Sequence, residues 1–176
     1  MRRAIAVVVL CSGLTSACEF GDGDAKVPGQ ALGSYEVTGR LKEDTCKAPA
    51  LGVTDPWQFE VKLSRFERDL YWLNGREAIV GEIGDDDVSF RFETRVDIEL
   101  VAPKGRAPGC TIERADVANG KLSSSDEDVE TFNGEMHFTY SQKDKSDCSA
   151  YDGEGFAALP CAIGYAVGAV RIANME

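Results

Sequence analysis

One histidine among 176 residues, His137, leaves little room for imidazole chemistry, since a Ser-His-Asp relay would have to be built on that single ring. No Cys-x-x-Cys spacing occurs among the six cysteines, which removes the usual sequence signature of a zinc site. The chain also lacks H-E-x-x-H, G-x-S-x-G and G-x-x-x-x-G-K-[ST], so metalloprotease, nucleophile-elbow and phosphate-loop chemistry have no anchor. Positive charge is scarce. Against 30 Asp and Glu stand only 19 Lys and Arg, a net charge of −11, and such a field repels phosphate backbones and excludes nucleic acid as a partner. Long apolar runs are missing too: Ala4 to Leu10 is far short of the ~20 residues a spanning helix needs. Outside the first eighteen residues no stretch of ten or more carries a helical apolar period.

What is present at the start is a leader. MRRAIAVVVLCSGLTSAC places Arg2 and Arg3 before the apolar run and ends in small residues, the order of a secretory signal peptide. Removal of residues 1–17 takes Cys11 away and leaves five cysteines, an odd number that requires an explanation in an exported protein. If Cys18 becomes the first residue and its sulfur is acylated, the other four are free to pair. Leu14-Thr15-Ser16-Ala17-Cys18 resembles the lipobox of bacterial lipoproteins, and EFGDGDAKVPGQ follows it as a flexible acidic tether. That resemblance implies a lipid anchor on Cys18. Because Glu19 rather than Asp follows the cysteine, it also implies sorting to the outer membrane. Several acyl chains hold a protein on a bilayer where one does not. Cleavage at the same bond by the general signal peptidase, for which Thr15 and Ala17 supply the small residues, is the alternative and leaves a soluble secreted or periplasmic protein. The expected organisation is a signal peptide at 1–17, a lipidated N-terminus and tether at 18–31, and a single β domain at 32–176.

Cys46, Cys110, Cys148 and Cys161 suit the oxidising compartment that a leader implies, and two structural disulfides are expected. Four cysteines permit three connectivities, and sequence does not choose among them. Because Cys148 and Cys161 bracket one short loop, that pair is favoured, leaving Cys46 with Cys110.

The apolar period through the rest of the chain is two. In WQFEVKLS, Trp57, Phe59, Val61 and Leu63 alternate with polar residues; in VSFRFETRVDIEL, Val88, Phe90, Phe92, Val96, Ile98 and Leu100 share one face. The second run would reach roughly 43 Å at ~3.3 Å per residue, a length natural in a coiled sheet or barrel. Asn74-Gly75 reads as a two-residue hairpin turn, and Gly84 to Asp87 and Asp126 to Val129 read as further hairpin tips. About eight strands are expected, near 33–41, 57–65, 69–73, 76–83, 87–100, 110–124, 130–141 and 161–172. The fold class is therefore all-β, an antiparallel meander closed as a barrel, with a β-sandwich as the alternative. The small residues Ala162, Gly164, Ala166 and Gly168 on the outer face of the last strand point to close approach by a neighbour. Strand number and order over 33–173 resemble the lipocalin or calycin barrels, with Gly33-Ser34-Tyr35 standing nearest to that family's first-strand G-x-W. The resemblance implies a carrier of a small apolar ligand.

Candidate chemistry is thin. His137 falls on an outward strand position. Asp85 to Asp87 and Asp126 to Asp128 are acidic hairpin tips without the spacing of a calcium loop, and no cofactor or metal is expected. Glu93, Asp97 and Glu99 share a face with Arg91 and Arg95, so cross-strand salt bridges account for them better than glycoside chemistry. Gly153-Glu154-Gly155-Phe156-Ala157-Ala158 matches a dinucleotide fingerprint but runs into Pro160 instead of a helix. Trp57, Phe59, Trp72, Phe90, Phe92, Phe138 and Tyr165 should share the interior, more as a filled core than as a pocket. These readings make the protein a non-enzymatic envelope lipoprotein serving as an interaction or accessory module for other envelope proteins. A lipocalin-like carrier is the alternative, and an apolar internal cavity of several hundred Å³ would favour it.

Overall fold

The computed structural model describes residues 28–48, 51, 53–75, 77–151 and 158–173. Residues 1–27, which hold the leader, Cys18 and most of the tether, lie outside them, as does most of the dinucleotide-like fingerprint.

Eight strands follow one another as an antiparallel meander: β1 Gln30–Asp44, β2 Trp57–Phe66, β3 Asp69–Leu73, β4 Ile79–Ile83, β5 Ser89–Val101, β6 Cys110–Leu122, β7 Thr131–Gln142 and β8 Cys161–Ala173. Each pairs with its neighbours in sequence, and β8 returns to β1, closing the barrel. The period-two pattern gives each strand one apolar face, and closure turns all of those faces towards a common interior. β1 starts at Gln30, so the last two residues read as tether already belong to the barrel.

The two ends of the barrel differ. At one end Leu32, Tyr35, Leu63, Leu70, Ile83, Phe90, Leu122 and Phe132 are all buried, and Val129 folds in from the β6–β7 loop to complete the plug. Tyr35, fully buried, donates its hydroxyl to the Val129 carbonyl at 2.7 Å and lies 3.2 Å from the Leu32 carbonyl. Phe132 stacks against Tyr35, Trp72 and Phe90 with ring centroids 5.4–5.8 Å apart. Space for these rings comes from two inward glycines. A Cβ on Gly81 would collide with the Phe92 ring, and one on Gly120 with the Phe90 ring.

The Asn74-Gly75 hairpin takes a wider turn than expected, because Trp72 pairs with Ile79 and β4 begins three residues later than the sequence suggests. The reason is register. A two-residue turn would set Glu77 opposite Trp72, on the inward face; the observed register places Ile79 there instead. The tips at Gly84–Asp87 and Asp126–Val129 form where expected, closed by Gly84 N–H to the Ser89 carbonyl at 2.7 Å and Ser123 N–H to the Thr131 carbonyl at 2.9 Å.

Both disulfides sit at the other end, and their pairing corrects the expectation from sequence. Cys46 joins Cys161 and Cys110 joins Cys148, each with Cα atoms 4.8 Å apart. Sheet neighbourhood overrides closeness along the chain. β1 runs beside the start of β8, Asp44 opposite Ile163 and Thr45 N–H bonded to the Ala162 carbonyl at 2.9 Å, so Cys46 arrives at Cys161. The loop after β7 folds back over β6, Asp147 N–H meeting the Gly109 carbonyl at 2.8 Å, and delivers Cys148 to Cys110.

Candidate functional site

Above the plug the interior is not filled. A cavity of about 400 Å³ occupies the disulfide-bearing half of the barrel, lined by side chains from β2 to β8 and by Leu51, Val53 and Thr54 of the β1–β2 loop. Aromatic rings stand in its walls among aliphatic and polar side chains. Trp57 lies 5.3 Å from Tyr165 and 5.8 Å from Phe138 between ring centroids, and Trp72 lies 5.5 Å from Phe92. Of the seven aromatics assigned to the interior, Trp57, Trp72, Phe92, Phe138 and Tyr165 line the cavity, whereas Phe90 packs into the plug. Phe59 contacts Trp57 and Trp72 from behind, at 4.4 and 6.1 Å.

The cavity reaches the surface where the wall is incomplete. β3 and β4 are short, so among the described residues Trp57–Val61 of β2 have registered partners only on β1, and Glu93–Val101 of β5 only on β6. Trp57, Asn74, Ile79 and Thr94 line the cavity beside that gap. The β1–β2 loop covers part of the same end. It is held down by the Cys46–Cys161 bond and by a backbone hydrogen bond from Thr54 to the Tyr165 hydroxyl, whose pKa burial nonetheless raises.

Among the described residues the lining has one charged feature, which the sequence reading did not pick out. Arg114 and Asp116 on β6 both point inward, their Nε and Oδ1 atoms 2.8 Å apart. Neither of these atoms has a hydrogen-bond partner of normal alignment. Burial raises the Asp116 pKa and Arg114 opposes it; burial likewise raises that of Tyr140, which sits opposite Arg114 on β7 and hydrogen-bonds to it. A signal for this existed. Counting by twos from Ile112 to Leu122 passes through Arg114, Asp116, Ala118 and Gly120, so strand parity alone places both charges on the core face.

The remaining candidates lie outside the barrel. His137 is surface-exposed, 3.4 Å from Glu135, and its ring lies across Gly164, which accounts for that small residue on β8; Gly168 has open space instead. Glu93 bonds Arg91 at 2.8 Å and Arg95 at 3.1 Å, Arg95 reaches Glu113 across the strands at 3.1 Å, and Asp97 pairs with Lys143. Arg91, then Arg95, lower the Glu93 pKa. The Asp85–Asp87 carboxylates serve their own hairpin: Asp86 caps the Ser89 N–H and hydroxyl, Asp85 pairs with Arg68 at 2.8 Å, and Asp87 with Arg65 at 3.2 Å. Among the described residues no three His, Cys, Asp or Glu side chains converge as metal ligands. Compared with known proteins, the chain matches no family model, no curated protein and no solved structure.

Proposed function

We propose that this protein is an exported, non-enzymatic binding protein that takes a small, mainly apolar molecule into the upper half of its barrel, while a lipid on Cys18 holds it to the bacterial outer membrane. The observation that carries the reading is the aromatic cavity of about 400 Å³, within the size range of small-molecule sites and large enough to bury most of a bicyclic or tricyclic hydrocarbon. The carrier reading therefore takes precedence over the accessory-module reading. Topology supports access from the aqueous side. The chain enters at Pro28, whose carbonyl accepts from Ser64 at the plugged end, and the cavity opens at the opposite end. A tether from Cys18 to Gly29, at most about 40 Å when extended, would thus place the mouth away from the bilayer.

Trp57 and Trp72 are the only tryptophans, and both line the cavity, so intrinsic fluorescence reports occupancy directly. Titration with 1-methyladamantane should give saturable quenching or a blue shift. Ala118→Leu, which extends a cavity-lining side chain into the space, should weaken it severalfold with little loss of stability. No saturable change in the wild-type protein would refute the carrier reading. For the anchor, the mature N-terminus should carry acyl mass on Cys18, and Cys18→Ser should move the protein to the soluble fraction.

A second reading rests on a different feature. Among the described residues, Arg95–Val101 of β5 pair on one side only, with exposed Val96 and Val101, and such an edge is a template for strand addition by an envelope protein. A partner that uses this edge should be captured from envelope extracts by the wild-type protein and lost with Val96→Lys.

A further inference from the structure

We propose that the cavity selects, within the carrier reading on which this inference rests, an uncharged amphiphile whose head group carries a hydrogen-bond donor and an acceptor side by side. The argument begins with charge. Among the described residues, Arg114 and Asp116 are the only formally charged ones in the lining, and they already neutralise each other. Their facing atoms, Nε and Oδ1, are buried, so the 35% and 21% exposure of the two side chains falls on their other atoms, which a ligand can reach. A carboxylate entering here would gain Arg114 but meet Asp116; an ammonium would meet the reverse. Either brings a net charge into a space otherwise lined by aromatic, aliphatic and neutral polar side chains, where desolvating it is costly.

A neutral head avoids that cost. A carboxamide, for example, offers its carbonyl to the guanidinium and its N–H to the carboxylate, supplying hydrogen bonds to a pair whose mutual contact is poorly aligned. The register places polar neighbours around such a head. Thr94 stands opposite Asp116 on β5, and Tyr140 opposite Arg114 on β7. Phe138 stands opposite Asp116 on β7, and Phe92, opposite Ala118 one inward position nearer the plug, packs against Trp72; these rings receive the hydrocarbon body.

The test uses four probes with one transparent hydrocarbon body: 1-methyladamantane, adamantane-1-carboxamide, adamantane-1-carboxylate and 1-adamantylmethylammonium, titrated at pH 7 against the full mature chain by tryptophan fluorescence. The carboxamide should bind about fivefold or more tighter than each of the others. Asp116→Asn, which leaves Arg114 without its counter-charge, should shift preference towards the carboxylate by about tenfold; Arg114→Gln should shift it as far towards the ammonium. Thermal melts establish that each variant folds, and the wild-type ranking decides the matter even if one does not. Four equal affinities in the wild type, or a charged probe ranked first, would overturn this inference and leave the carrier reading intact. A correct ranking unmoved in folded variants would overturn the assignment to Arg114 and Asp116. Absence of binding by all four would overturn the carrier reading, and this inference with it.

Discussion

Replacing Tyr35 with Phe tests the plug that closes one end of the barrel. The side chain is fully buried, and its hydroxyl is the 2.7 Å donor to the Val129 carbonyl, the contact that seats the β6–β7 loop. Removing it leaves a carbonyl without that donor in an apolar setting, a loss of about 1–3 kcal/mol. With a urea slope of ~2 kcal/mol/M, the unfolding midpoint should fall by about 1 M at pH 7. The same hydroxyl predicts an alkaline transition. Burial, assisted by Glu130 and opposed by Arg171, pushes the Tyr35 pKa from 10 up to about 12. The folded state therefore holds this proton more tightly than the unfolded chain does. The contribution is complete below pH 10 and is lost as pH rises through 12, about 3 kcal/mol in all. Urea titrations of oxidised protein between pH 8 and 12 should show wild-type stability falling more steeply above pH 10 than that of Tyr35→Phe, the two curves converging. Equal midpoints at pH 7, or parallel curves above pH 10, would refute the role assigned to this hydroxyl.

Two further outcomes are expected. Peptide mapping under non-reducing conditions should recover Cys46 linked to Cys161 and Cys110 linked to Cys148, and the Cys46→Ser/Cys161→Ser double variant, which opens a crosslink spanning 115 residues, should lose about 2–5 kcal/mol by chemical denaturation. Gly120→Val should destabilise by about 1–3 kcal/mol or prevent folding, because its Cβ meets the Phe90 ring and the Asn133 carbonyl, whereas the same change at Gly168, where nothing stands within 4 Å, should leave the melting temperature nearly unchanged.

Strand existence was legible in the sequence because a half-buried strand writes its burial directly as alternation. WQFEVKLS and VSFRFETRVDIEL became β2 and β5 with boundaries within two residues of the expected ones. The outward salt bridges around Glu93 and Arg95 followed from the same parity, since charges on one face of adjacent strands meet without further help. The inward pair was harder to see. Arg114 and Asp116 break the apolar alternation of β6, and two charges in a strand read as surface unless their parity is traced from Ile112.

The all-β class and the antiparallel meander thus belong to the sequence, because period two, turn residues and strand lengths are local properties, each written within a dozen residues. The tertiary structure decided what depends on which strands lie side by side. Cys46 met Cys161 because β8 returns to β1, although Cys148 is far closer to Cys161 along the chain. The Asn74-Gly75 turn widened because Ile79 rather than Glu77 had to face Trp72. The cavity reaches the surface because β3 and β4 are too short to wall the upper half of the barrel, and its lining draws on seven strands, a relation that no single segment carries. Local pattern sets which side of each strand avoids water; the space left between those sides is a sum over the whole barrel, and only closure fixes it.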